Sequence, residues 1–245
     1  MRRDVKILLV TAIAGGVVTT GERLQDLLAE MKTFQISDIE VRGLRYVDRA
    51  DVIRTMAVAP GSSIWTDPEL WEDRLASHPL IKEARVERRM PDRLRISVTE
   101  RQPVALAPTP TFEPVDIDGF RLPIDPSEHR LDLPVLTTVT TPAGGARLFP
   151  ARVRRLASEA GRLMSADTAF AQRVSEVGWT SDGDLTLTWT EPRVTFLLQT
   201  GASSARLTEG QAALADAAAR SPDVLPNEVD LRYADQVVIR RTPPR

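Results

Sequence analysis

The chain of 245 residues contains no cysteine. Disulfides, thiolate metal sites and cysteine nucleophiles are excluded, and an oxidising compartment is compatible with the composition. Histidine is nearly as scarce, with His78 and His129 far apart in sequence. Catalysis or metal binding that leans on imidazole has little to draw on. Charge of one sign is not in excess, because the formal net charge is -2. That balance gives no electrostatic footprint for nucleic acid and no whole-chain attraction to an acidic surface. Phosphate-binding and dinucleotide-binding loops are missing too, since the glycine pairs lack the companions those motifs require. Ser77 beside His78 is an adjacent pair, not a nucleophile with a base placed across a site. Asp116, Asp118 and Asp125 suggest a calcium loop, yet the later ligands and terminal glutamate are absent. The sequence reads as a protein that is not an enzyme, with no cofactor, no metal, no nucleic acid and no small-molecule substrate.

What is present begins with one apolar run. Ile7 to Val18, extended by Thr19 and Thr20, follows Arg2, Arg3 and Lys6. A helix from Val5 to Thr20 would span about 24 Å, against a hydrocarbon core of about 30 Å. The basic residues lie on one side only, which favours a retained anchor with its amino terminus in the cytoplasm. A cleaved signal peptide and a buried soluble helix are the alternatives; the first lacks an A-x-A-like site and the second a polar face. Leu24, Leu27, Leu28 and Met31 then recur at helical spacing, as expected of an amphipathic neck.

The most informative stretch is Ile81 to Ala105, IKEARVERRMPDRLRISVTERQPVA. Ala84, Val86 and Arg88 alternate with Glu83, Arg85, Glu87 and Arg89. Beyond Pro91-Asp92, Leu94, Ile96 and Val98 alternate with Arg93, Arg95, Ser97 and Thr99. Period two on both sides of a proline–aspartate turn predicts a hairpin with one wet face and one face that needs a cover. The cover comes from what precedes it. A strand is expected over 34–42, ended by Gly43. A short helix follows Asp48 and is broken by Pro60-Gly61. Thr66 and Glu69 have capping-box spacing for a second helix, with Leu70, Trp71 and Leu75 as its stripe. Strand, helix, helix, strand, strand closes a domain of about seventy residues, near the lower limit for independent folding.

That order, the strings IEVRGLRYVDRADV and HPLIKEARVERRMPDRLRISVTERQPVA, and a position just after a single anchor resemble the POTRA domain of the FtsQ/DivIB family of bacterial cell-division proteins. The Glu-Arg-x-Pro-x-Ala signature stands in full at Glu100-Arg101-Gln102-Pro103-Val104-Ala105. The resemblance continues through Val115-Asp116-Ile117-Asp118-Gly119, a tight-hairpin signal, and Leu133-Pro134-Val135-Leu136-Thr137. Beyond it, Val153, Leu156, Ala160 and Leu163 mark a helix whose Arg152, Arg154, Arg155 and Arg162 form a solvated face or touch lipid phosphates. Strands are expected around Val174–Trp179, Leu185–Trp189 and Val194–Leu198, and Ser203 or Ser204 caps a second helix. VDLRYADQVVIR at 229–240 resembles the closing hairpin of the family.

The resemblance implies an α+β chain: residues 1–6 a cytoplasmic tail, 7–31 an anchor and neck, 34–103 a POTRA domain, 104–240 a mixed β-domain with two helices, and 241–245 a disordered tail. It implies a single-pass protein of the bacterial inner membrane, mostly periplasmic, at the division septum. Its partners there would be FtsB and FtsL, received by strand addition at the last strands. Mapped by motif, that site comprises Leu231, Arg232, Tyr233, Gln236, Val237, Val238, Ile239 and Arg240. Tyr233 is the preferred side-chain anchor, unless it fills the core and backbone alone is recognised. Arg85, Arg89, Arg93 and Arg95 make a second partner surface on the POTRA hairpin. A rival reading keeps the fold and makes the chain an accessory subunit of another membrane complex.

Overall fold

The computed structural model describes residues 32–109, 111–138 and 146–241, which fall into two compact units divided between Glu100 and Arg101. The expected anchor, neck and cytoplasmic tail (1–31), and residues 242–245 of the expected disordered tail, lie outside the described residues. Among the described residues no helix is long and apolar enough to cross a membrane.

The first unit has three strands and two helices. After a 3-10 turn at Lys32–Phe34 come β1 (Asp38–Arg42), α1 (Arg49–Met56), α2 (Pro68–Ala76), β2 (Ile81–Arg89) and β3 (Arg93–Glu100). β3 is central, parallel to β1 and antiparallel to β2, with Val86 opposite Ile96. Its even residues Leu94, Ile96 and Val98 are buried with Val52, Met56, Ile64, Trp71 and Leu75, so one face of the sheet is sealed by both helices. Each such side chain contributes about 1.5–3 kcal/mol by leaving water. Gly43 ends β1 with φ +84°, and a Cβ there would stand 2.1 Å from the Val98 carbonyl oxygen, so only glycine fits.

Three local expectations need correction. Phe34 belongs to the 3-10 turn and not to the first strand; it packs edge-on to Trp65 at 5.8 Å. α1 stops before Pro60-Gly61, because Ala57 takes the left-handed conformation that closes the helix. α2 is capped by Asp67, whose carboxylate accepts from the Glu69 amide at 3.1 Å, and not by Thr66. Pro68 then takes the first helical position, where its missing N–H matters least.

The second unit holds β4 (Pro103–Pro108), β5 (Phe112–Asp116), β6 (Val135–Leu136), α3 (Ala151–Ala166), α4 (Thr168–Ala171), β7 (Val174–Trp179), β8 (Leu185–Trp189), β9 (Val194–Leu198), α5 (Ser204–Arg220), β10 (Glu228–Asp230) and β11 (Val238–Arg240). Its eight-stranded sheet runs β11-β10-β9-β8-β7-β6-β4-β5 and is mixed, with parallel pairs at β10–β9, β7–β6 and β6–β4. α3 buries Val153, Leu156, Ala160 and Leu163 in the core, and α5 buries Leu207. Phe170, Trp189 and Phe196 meet at 4.7–5.2 Å between centroids. α4 is a single turn that the periodicity did not announce, started by Asp167, whose carboxylate accepts from the Phe170 amide at 2.9 Å. Ser203 stands at the cap of α5 but its hydroxyl makes no capping bond. The Asp-Gly turn at 118–119 returns as isolated bridges rather than as a full strand.

The Glu-Arg signature serves both units. The buried Glu100 carboxylate accepts from the amides of Arg45, Tyr46 and Val47 at 2.8–3.0 Å, fixing the loop after β1. Arg101 places Nη1 2.8 Å from the buried Asp116 carboxylate and lies over the Phe120 ring at 3.7 Å. The other Asp116 oxygen accepts from the amides of Asp118 and Phe120, which shapes the turn. The carboxylate once considered for calcium is thus occupied within its own unit.

Candidate functional site: the free edges of two sheets

A strand with a neighbour on one side only presents a row of N–H and C=O groups on the other. Four strands are in that position: β1, β2, β5 and β11. Three of them have outward groups engaged within their own unit. On β2 the outward Val86 amide donates to the Glu72 carboxylate of α2 at 2.7 Å. On β1 the Ile39 carbonyl accepts from Arg49 of α1 at 2.6 Å, and the preceding residues bond across to Ser62 and Ile64. On β5 the passage 120–122 lies alongside, with the Asp116 amide donating to the Phe120 carbonyl and the Leu122 amide to the Pro114 carbonyl.

β11 differs. The Asn227 carbonyl and Leu231 amide point at β9, bonding to Thr195 and Leu197 at 2.9 and 2.8 Å. By alternation Glu228 and Asp230 point at β11, where Arg240 and Val238 stand opposite them. Ile239 is left facing away, and nothing among the described residues engages its N–H and C=O. Its side chain, with that of Val237, is half-buried against the core.

Charged groups behind this edge hold it in place. Asp230 is fully buried. Arg232 grips it through Nε at 2.9 Å and Nη2 at 2.7 Å, and reaches Asp184 of the β7–β8 turn through Nη1 at 3.0 Å. Arg240 approaches the same Asp230 carboxylate at 3.2 Å and pairs with Glu228. The hydrogen bond to Arg232 holds the Asp230 carboxyl below its ordinary value, and Asp230, then Asp184, raises the Arg232 guanidinium above its own. Arg206 of α5 points the other way, donating to the carbonyls of Leu231 (3.3 Å), Tyr233 and Gln236 and pairing with Glu209.

The expected site residues therefore divide. Leu231 is a core residue: its side chain lies under α5, and its amide and carbonyl are both engaged within the unit. A Cβ on Gly210 would come within 2.8 Å of Leu231, which is how closely the helix lies on β10. Burial under the helix removes Leu231 from any contact surface. Arg232 is a buttress, three-quarters buried. Tyr233 is 44% exposed, so the alternative that it fills the core is set aside. Gln236 and Arg240 are exposed, while Val237, Val238 and Ile239 are half-buried along the edge. Of the second surface, Arg85 pairs with Glu83, Arg89 with Glu87 and Arg95 with Glu40, while Arg93 stands opposite Arg89 on the same wet face. Glu40 is held below its ordinary value first by Arg95, then by Arg42.

Arg206, Glu72 and Arg49 had no place in the sequence reading. A cation in the first turn of a helix opposes the helix dipole, and that misfit is the local signal by which Arg206 could have been found.

Comparison with known proteins bears on the fold and on the whole chain. A family model described as a POTRA domain of FtsQ type matches residues 34–101. Cell division protein FtsQ of Rhodothermus marinus is 31% identical over 221 residues, 86% of this chain and 79% of that protein. Cell division protein FtsQ of Salinibacter ruber is 31% identical over 218 residues, 83% of this chain and 77% of that protein. Cell division protein FtsQ of Myxococcus fulvus is 29% identical over 136 residues, 55% of this chain and 48% of that protein, so the shared stretch is about half of that relative.

Proposed function

The chain belongs to the FtsQ family of cell-division proteins, and from that premise we propose that it is a non-catalytic, single-pass scaffold of the septal division machinery. In this reading residues 1–6 are cytoplasmic, 7–31 anchor the chain in the inner membrane, and the domains 34–103 and 104–240 work in the periplasm. FtsB, accompanied by FtsL, adds a strand to β11, and septal peptidoglycan synthesis is assembled around the complex.

The observation that carries the reading is the outward Ile239 at an uncovered edge, beside an exposed Tyr233. Backbone pairing at so short a strand is weak by itself, since each hydrogen bond nets about 0.5–1.5 kcal/mol. The Tyr233 ring supplies amphipathic contact area at low entropic cost. Anchoring both proteins in one membrane raises their effective concentration and lets a modest interface suffice. Arg85, Arg89, Arg93 and Arg95 are then a second, weaker contact surface, because three of the four are already paired with glutamates on the same face.

Ile239→Pro removes the outward N–H without touching the bonds between β10 and β11, a placement that an edge strand tolerates. Capture of the FtsB periplasmic segment by the full-length chain is expected to fall about tenfold. Unchanged capture sinks the strand-addition reading. Cells depleted of the protein are expected to filament; normal division would select the accessory-subunit role.

A further inference from the structure

We propose that Arg206 is the positioning residue that keeps β11 formed as an edge before any partner arrives. The inference rests on the strand-addition reading of the same site.

β11 meets β10 over only three residue pairs, and the chain that joins them, 231–237, has no regular structure of its own. Such a joint is expected to open easily, since a short terminal strand with few backbone bonds sits at the low end of local stability. What ties the backbone of the joint to α5 is one guanidinium, beside the Asp230–Arg232–Arg240 group and Arg241, which donates to the carbonyls of Val224 and Ala217. Arg206, with its side chain 13% exposed, donates Nε to the Leu231 carbonyl and Nη2 to the carbonyls of Tyr233 and Gln236. These three carbonyls span the joint from the end of β10 almost to the start of β11. The planar fork lets one side chain serve them all, which an ammonium could not do with the same geometry.

The fork reaches because α5 is close. Gly210, one turn along the same helix, has no side chain to keep α5 off Leu231, and Leu207 is fully buried beside it. Arg206 makes no contact with Ile239 and meets Tyr233 and Gln236 only at their carbonyls, so it acts through the shape of the joint. A partner that pairs with a preformed edge need not order it, and the ordering penalty is removed from the binding free energy. The Asp230–Arg232–Arg240 group holds β11 from the opposite side and takes one amide of the joint, that of Arg232, whereas Arg206 takes three of its carbonyls.

The test uses the full-length chain, amide hydrogen exchange without partner, and the FtsB periplasmic segment as the binding probe. In Arg206→Ala, exchange over 236–241 should quicken while β7–β9 is unchanged, and capture should weaken about tenfold, as expected if the competent fraction falls to about a tenth. Arg206→Lys, which keeps the charge but not the fork, should fall between the two. Faster exchange throughout β7–β9 in both variants would reduce Arg206 to a packing residue and overturn the proposal. So would unchanged exchange over 236–241. If Ile239→Pro weakens capture while Arg206→Ala leaves it intact, this inference alone fails; if Ile239→Pro has no effect, the reading beneath it fails first.

Discussion

The POTRA sheet ends on both sides in strands that each have one outward group taken by its own helices: the Val86 amide by Glu72 of α2 and the Ile39 carbonyl by Arg49 of α1. The second sheet is covered at β5 by its own chain but ends in β11 with Ile239 turned outward and no such cover among the described residues. The two POTRA edges are each met from outside by a single side chain. The open one is tied down from behind, by Asp230, Arg232, Arg240 and Arg206. An exposed edge is ordinarily a liability that invites indiscriminate pairing. The last strand's outward residue has no partner among the described residues while side chains back it from behind, and the proposed strand addition rests on that edge.

The contrast can be broken from either side. The largest effect is expected from Asp230→Asn, which leaves Arg232 beside a neutral group and should cost about 2 kcal/mol of stability at neutral pH. Thermal unfolding against pH gives the signature. The folded carboxyl lies below its ordinary 3.8 because of Arg232, so the unfolded chain takes up its proton first as pH falls. The stability it contributes is therefore full above pH 3.8 and is lost as pH drops through the lower folded value. Wild type and Asp230→Asn should converge there, and a gap that stays constant with pH would deny the carboxylate its role.

A smaller effect is expected from Tyr233→Ala. With the ring 44% exposed, thermal stability should scarcely change, while capture of the FtsB segment should weaken about tenfold. An equal loss of melting temperature and capture would mean that the ring supports the fold instead. The smallest effect tests the guarded side: Glu72→Ala uncovers the Val86 amide, should cost about 1 kcal/mol, and should add a concentration-dependent dimer through β2. A strictly monomeric variant would show that edge to be protected by something other than Glu72.

Much of the first unit was legible because its determinants are local. Period-two patterns in β2 and β3 and a proline–aspartate turn announce a hairpin without reference to anything distant. The cap of α2 was misassigned by one residue because Thr66 and Asp67 are both good caps, and only the backbone bend chooses between them. At the candidate site the strand parity of Val229, Leu231 and Tyr233 put all three on one face. Parity could not reveal that Leu231 packs under α5 while Tyr233 stays exposed. The covers themselves are bonds across long sequence separations, 14 residues for Glu72 to Val86 and 30 for Arg206 to Gln236. Nothing in the neighbourhood of a glutamate or arginine states which distant carbonyl or amide it will meet.

Glu100 and Arg101 are consecutive, yet the first fastens the loop after β1 and the second fastens the Asp116 turn. Each half of the molecule thus carries its own clasp right up to a single shared peptide bond. A gene cut at that bond would yield two fragments that each retain a complete set of fastenings. Chimaeras that exchange one half between relatives should be joined there, whereas a junction a few codons to either side would strip one fragment of the clasp it folds around.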